Sequence, residues 1–216
     1  MLEKMADFFH ARLDGYEEHM LTNIQSAAEF YPVTASLLPA APGVQVLDLG
    51  CGTGLELRYY YPLNPTARVT GIDMAPEMLR VLEENYRDKA PTLICGSYFE
   101  VPFGENRFDA AVSVESLHHF PKEEKIPLYR KLHAALKDGG YFILTDYFAE
   151  NNTEEQFHRR ELIRLMEEAG LPEGEIYHYD TPLTAAHEVE ALIEAGFSAA
   201  RILGTWGATA LIRAEK

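Results

Sequence analysis

Residues 46–54 read VLDLGCGTG, and few chains with this stretch can fold in more than one way. Val46, Leu47 and Leu49 form a short apolar run that ends in glycine, the pattern of a buried parallel strand. Gly50, Gly52 and Gly54 let the backbone turn sharply and approach a ligand closely. Leu55, Leu57 and Tyr61 follow at helical spacing. Strand, glycine turn and helix together make the entrance of a nucleotide-type site. The glycine pattern is G-x-G-x-G, and Leu55 stands where a dinucleotide fingerprint requires its last glycine. Asp48 ends the strand, where a carboxylate repels pyrophosphate and favours an ammonium or sulfonium. A cofactor with positive charge and no phosphate is expected.

With these residues in view, VLDLGCGTG resembles the first motif of the class I S-adenosylmethionine-dependent methyltransferases, and later segments follow that family's order from about Val44 to the C-terminus. The resemblance implies an α/β fold: a Rossmann-like, seven-stranded, mostly parallel sheet with a C-terminal antiparallel hairpin, helices on both faces and an N-terminal helical cap. It implies S-adenosyl-L-methionine as methyl donor, with S-adenosyl-L-homocysteine as product. The cofactor set is expected to be Asp48, Gly50, Cys51, Gly52, Gly54, Asp73, Met74, Ser97, Tyr98 and Glu115. Residues 1–42 are expected to form the cap. Residues 43–216 form the cofactor-binding domain, with a variable substrate-side insert near 149–182.

Asp73 ends the next strand, starting at Arg68, about 20 residues past the glycines, where an acid can bond both ribose hydroxyls. Only a carboxylate accepts two hydroxyl protons side by side. Pro76 and Glu77 open the helix that follows, with Met78, Leu79 and Leu82 as its buried stripe. Met74 is placed against the adenine face or in the core. Thr92 to Cys95 is a third strand. Ser97 stands where family members commonly carry Asp, so adenine recognition leans on backbone groups at Ser97 and Tyr98.

Ala110 to Val114 is a fourth strand, and Glu115, His118 and His119 lie at its carboxyl end, the edge where open α/β sheets bind ligands. An imidazole with an ordinary pKa of about 6.5 can take a proton near neutral pH, so His119, or His118, is the candidate base. The bland alternative is that one caps the next helix and the other packs. Adjacent histidines diverge and no Cys or Asp is near them in sequence, so no metal is expected. A helix is expected from Ile126 to Leu136 and stopped by Gly139 and Gly140, with Tyr141 to Thr145 as the fifth strand. Asp146 and Tyr147 emerge at the same edge as candidate substrate contacts, with Tyr16 and His19 from the N-terminal arm, where Phe9 and Arg12 also lie. Thr153 to Ala169 reads as a helix with Phe157, Leu162 and Leu165 inward, and Gly174 to Thr181 as an aromatic stretch. His187 to Ala195 is a last helix. Ala199 to Leu203 and Ala208 to Arg213 are the closing strands, too closely joined to be anything but antiparallel.

The formal charge of −15 disfavours a nucleic-acid partner, and Arg159–Arg160 is the densest basic pair. A small neutral or cationic substrate is expected, and a homodimer is compatible with the sequence. No apolar run reaches the roughly 20 residues that span a bilayer. The N-terminus lacks a signal-peptide pattern, and Cys51 and Cys95 form no CxxC, so a cytoplasmic location is expected. Three other activities share such a turn: a nicotinamide oxidoreductase, a protein that holds the cofactor without transferring methyl, and non-methyl use of the same cofactor.

Overall fold

The computed structural model describes residues 2–172 and 176–216. Met1 and residues 173–175 lie outside the described residues, and with them the first residue of the expected cap and part of the expected insert, including Gly174.

Seven strands among the described residues form one sheet: β1 (Gln45–Leu49), β2 (Arg68–Asp73), β3 (Thr92–Cys95), β4 (Phe108–Val114), β5 (Leu136–Tyr147), β6 (Ala199–Trp206) and β7 (Thr209–Glu215). Their order is β3-β2-β1-β4-β5-β7-β6. β1 to β5 pair in parallel, and β7 enters antiparallel between β5 and β6. Parallel neighbours are joined through helices: α4 (Leu57–Leu63), α5 (Pro76–Asn85) and α6 (Lys122–Ala135). The chain begins with α1 (Met5–Ala11), α2 (Tyr16–Asn23) and α3 (Ala27–Ser36), and adds α7 (Asn152–Ala169) and α8 (Ala185–Glu194) before the final hairpin. The chain order reverses on either side of β1, between β2 and β4. That is the switch point where open sheets place their ligands, at the carboxyl ends of the strands.

Alternation along β1 assigns its side chains to two cores. Val46 packs with Phe30 and Tyr31 of α3 and Leu57 and Tyr60 of α4. Leu47 and Leu49 point the other way, toward Leu128, Tyr129 and Leu132 of α6 and Leu192 of α8. Thr34 Oγ1 lies 2.6 Å from Thr145 Oγ1 at the heart of the first core, so α3 belongs to the sheet's own helical layer. Of the N-terminal helices, α1 and α2 are the ones that overhang the cleft.

The second core contains a buried ion pair. Lys125 Nζ donates to Glu188 Oε2 at 2.5 Å, and Tyr129 Oη donates to Glu188 Oε1. Lys125 and Glu188 are 1% and 0% exposed, so α6 and α8 are joined by charges that have lost their water.

Several element bounds differ from the sequence reading. α6 starts at Lys122 rather than Ile126 and carries Pro127 inside it, because Pro121 supplies an extended N-cap that starts the helix early. Gly139 and Gly140 lie within β5, where Gly139 at φ +75° bends the strand beside a register shift against β4. β6 runs on to Trp206, leaving Gly207 (φ +60°) and Ala208 as a two-residue turn of the type hairpins favour. Phe157 is 54% exposed, against expectation, while Leu162 and Leu165 on the same helix are half-buried.

Truncating Glu188 would strand the Lys125 ammonium in an apolar core. Glu188→Ala is expected to lower unfolding free energy by about 3–5 kcal/mol, measured as a lower urea midpoint with the slope retained.

Candidate functional site

A cleft opens at the carboxyl ends of β1, β2 and β4. Gly50, Gly52, Asp73, Met74, Ser97, Tyr98 and Glu115 line it, and so do Met5, Phe9, Tyr16, Met78, His119, Phe120 and Ile176. Among these described lining residues there is no Lys or Arg.

The three glycines do different work. Gly52, at φ +49°, faces open space, its nearest neighbour being Tyr16 Oη at 4.0 Å from where a Cβ would sit. Gly50, at φ +72°, is pressed against Ser116, and a Cβ there would meet Ser116 Oγ at 2.0 Å. Gly54, at φ +77°, is turned away from the cleft against α5, where a Cβ would lie 2.9 Å from the Tyr86 ring. Cys51 also points away: its buried sulfur fills the space left by Gly71, 2.6 Å from that residue's missing Cβ, and its N–H donates to Ile72 O. Of the expected turn residues, the structure therefore brings Gly50 and Gly52 to the cleft wall, and not Cys51 or Gly54.

Asp73 closes the end of β2. Its Oδ2 accepts from Gly52 N and its Oδ1 from Ala75 N, both at 2.8 Å. Each oxygen keeps a second lone pair, and the carboxylate is fixed in orientation before any ligand arrives. Burial raises its pKa, and the backbone donors at Ala75 and Gly52 oppose that shift.

Asp48 does not reach the cleft wall. It shares the Val46 side of β1 and is 1% exposed behind the glycine turn. Burial, then the neighbouring Glu56 carboxyl, hold its pKa well above the ordinary range. Asp48 Oδ2 and Glu56 Oε1 have no protein donor, so the two carboxyls share a proton or answer a cation. The fixed Asp73 carboxylate, the open face of Gly52, these orphaned oxygens and a lining without Lys or Arg all fit a nucleoside that carries positive charge. They do not fit a pyrophosphate.

At Ser97 and Tyr98 several polar groups are already engaged within the protein. Ser97 Oγ accepts from Phe99 N at 3.2 Å, and Ser97 O from Glu100 N and Val101 N, so this serine is occupied in turning the chain. Tyr98 O accepts from Lys131 Nζ at 2.6 Å, which turns that carbonyl toward α6. The Tyr98 ring and the Met74 side chain remain on the cleft lining as apolar surface.

A second, wider cavity adjoins the first and shares Phe9, Tyr16, Glu115 and His119 with it. His19, Tyr147, Arg12, His178, Asp180 and Trp206 lie on its walls. His19 is exposed and its Nδ1 lies 3.0 Å from Asn23 Nδ2. Tyr16 is desolvated by burial, which raises its phenol pKa, helped by Asp73, Glu56 and Glu115.

His118 and His119 occupy a single 3₁₀ turn, Leu117–His119. That turn brings their rings to a centroid separation of 4.0 Å instead of splaying them, and two acids come in from distant chain positions. His118 Nδ1 lies 2.5 Å from Asp146 Oδ1, and its Nε2 lies 3.5 Å from Asp180 Oδ1. His119 Nδ1 lies 3.1 Å from the same Asp180 oxygen. Burial alone would lower the His118 pKa, but Asp146, then Asp180 and Glu115, push it up to about 10. Burial and the His118 charge push His119 down to about 4. Burial, then Asp146, pushes Glu115 up to about 7, against the pull of His118. His119 is thus a neutral imidazole. Both groups facing its Nδ1, Asp180 Oδ1 and Tyr179 O, are acceptors, so the proton sits on Nδ1 and Nε2 is basic.

Asp146 departs from its expected place at the substrate. It is 1% exposed, and its carboxylate accepts from Leu117 N and Tyr147 N as well as facing His118. It orients the histidine turn from behind. Asp180 and Glu56 were not singled out by the sequence. Asp180 sits in an irregular stretch with no motif, and is carried to the histidines by the bond from Thr181 N to His118 O.

Comparison with known proteins finds similarity to methyltransferases. The family described as "Methyltransferase domain" matches residues 46–140. Over 158 residues the chain is 28% identical to 24-methylenesterol C-methyltransferase 3 of Arabidopsis thaliana, covering 71% of this chain and 43% of that protein. It is 30% identical over 130 residues to an uncharacterised methyltransferase of Synechocystis sp., covering 60% and 59%. The fold of an S-adenosylmethionine-dependent methyltransferase from Mesorhizobium loti superposes with a TM-score of 0.61 at 22% identity, covering 86% of this chain and 96% of that one. The chain spans less than two thirds of the length of these two curated relatives.

The packing of Gly54 gives a test that needs no ligand. Gly54→Ala combines a left-handed backbone with a Cβ set against Tyr86 and Leu82. It is expected to cost about 1–3 kcal/mol of stability, seen as a lowered thermal midpoint.

Proposed function

The chain carries a class I S-adenosylmethionine-dependent methyltransferase domain, and from that premise we propose that it transfers a methyl group to a small-molecule nucleophile held in the outer cavity. The carrying observation is the junction of the two cavities, where Tyr16, Glu115 and His119 border both. When bound, S-adenosyl-L-methionine supplies an electrophilic methyl on a sulfonium.

In this reading the inner cleft holds the cofactor. Asp73 accepts both ribose hydroxyls on its free lone pairs, Met74 and Tyr98 present apolar surface to the base, and the backbone at Gly50 and Gly52 allows close approach. Asp48 and Glu56 answer the positive charge from behind the turn. Phe9 and Tyr16, from the N-terminal helices, exclude water from the junction. Alignment of two reactants can supply on the order of 7–11 kcal/mol, so an activated donor asks the protein chiefly to position and dehydrate. His119 meets the acceptor on the outer side, with its ring held by Asp180.

No helix among the described residues is long and apolar enough to cross a membrane. The free thiols of Cys51 and Cys95 favour a reducing, cytoplasmic setting for this chemistry.

Thermal-shift measurements with S-adenosylhomocysteine and with NAD test the cofactor. Stabilisation by the first alone is expected, and stabilisation by NAD alone would reverse the reading. A methyl-transfer screen over hydroxyl, thiol, amine and carbon acceptors then tests the reaction. A blank across all four classes, with the cofactor bound, would point to a binding protein. Asp73→Ala is expected to weaken S-adenosylhomocysteine by about 2–3 kcal/mol, from two lost charge-assisted bonds. Calorimetry showing unchanged affinity would remove Asp73 from that role.

A further inference from the structure

We propose that His118, His119 and Asp180 form a binding site for a divalent transition-metal ion of the Zn²⁺ type, which holds a hydroxyl or thiol acceptor beside the methyl donor. The inference rests on the methyl-transfer reading for its purpose, but the site itself stands on the geometry of the side chains.

Three ligand atoms converge. His118 Nε2 and His119 Nδ1 lie 3.5 and 3.1 Å from one carboxylate oxygen, Asp180 Oδ1. All three atoms lie within 4.8 Å of one another. Metal–ligand bonds of about 2.0–2.1 Å in a tetrahedron put the ligand atoms about 3.3–3.4 Å apart, and the two measured separations straddle that spacing. Adjacent histidines on an extended strand or an α-helix would point apart. The 3₁₀ turn is what swings both rings toward the same oxygen.

The surroundings are those of a ligand set and not only of an ion pair. His118 presents its other nitrogen to the Asp146 carboxylate at 2.5 Å, and Asp146 is itself held by Leu117 N and Tyr147 N. A carboxylate behind a histidine in this way fixes the ring and raises its basicity as a metal ligand. The set is two imidazoles and one carboxylate, which suits Zn²⁺ and its first-row neighbours and leaves one position open. That position faces the outer cavity, since His118, His119 and Asp180 are all on its wall.

The proton balance is simple. On binding, the proton on His118 Nε2 is released to solvent, and the His119 proton moves from Nδ1 to Nε2, so that both ligating nitrogens carry free lone pairs. An acceptor hydroxyl or thiol at the open position becomes more acidic. Its O–H or S–H bond breaks with the proton passing to Glu115, which also lies on the junction.

The test is titration of this chain, free of any tag, with Zn²⁺ by calorimetry, and with Co²⁺ followed by visible absorption. One equivalent of Zn²⁺ and a Co²⁺ spectrum of low coordination number are expected. Asp180→Asn removes a half-exposed carboxylate and is expected to weaken both by about tenfold or more, and Asp146→Asn by about 10–100-fold. His187→Ala, which removes an imidazole paired with Glu155 outside both cavities, is expected to change neither. Thermal stabilisation by S-adenosylhomocysteine, measured on each sample, reports that the variant is folded. Wild-type protein that takes up no stoichiometric Zn²⁺, or Asp180→Asn that binds as wild type does, would overturn the metal site. If S-adenosylhomocysteine still stabilises that protein, methyl transfer stands without it. Loss of that stabilisation in the wild type would overturn the methyl-transfer reading separately.

Discussion

The site depends first on a carboxylate whose position is set by backbone. Asp73 is held at the end of β2 by N–H groups from the glycine turn after β1 and from the start of α5. Three elements are thereby tied at one point, and that point lies beside the place where the order of the sheet reverses. A side chain fixed this way needs no rearrangement to receive a diol, and its orientation costs nothing further when a ligand binds. The glycine turn contributes in three ways. Gly52 leaves room, Gly50 lets Ser116 come close, and Gly54 lets α5 lie against the turn.

Electrostatics then separate the two cavities. The inner cleft is acidic and without Lys or Arg among its described lining residues, and two more carboxyls are buried behind it. A cation is favoured there and a pyrophosphate disfavoured. The outer cavity is arranged around two histidines and the acids that face them. Asp146, from the end of β5, is fully buried and fixes His118, while Asp180 approaches both rings from the partly exposed side. The result is a neutral His119 at the junction and a polar cluster that can hold an acceptor in place. The Lys125–Glu188 pair, on the same side of the sheet, joins α6 to α8 and steadies the helix that follows the histidine turn.

Much of the fold was legible because its signals are local. The run at β1, the glycines after it and the acid ending β2 each have one physical reading, and their order imposes the parallel sheet. The closing hairpin followed from the brevity of its connection. What was misread had non-local causes. The start of α6 depends on an extended Pro121, and α7 packs only partly, with Leu162 and Leu165 half-buried and Phe157 left exposed. In the site, the place of Asp73 on the cleft wall was legible by spacing. Asp48, Cys51 and Gly54 share a motif with cleft residues but are turned from the cleft: Asp48 lies on the Val46 face of β1, the Cys51 sulfur fills the space at Gly71, and Gly54 packs against α5. Asp180 carries no local signal. The bond from Thr181 to His118 brings it in from 62 residues away in sequence, and only the folded chain reveals it.

A crystal structure with S-adenosylhomocysteine tests the central claim most directly. The account predicts both ribose hydroxyls within hydrogen-bond distance of the Asp73 carboxylate, with the sulfur turned toward the junction beside His119. A ligand bound elsewhere, or an Asp73 carboxylate with no contact to the ribose, would contradict it.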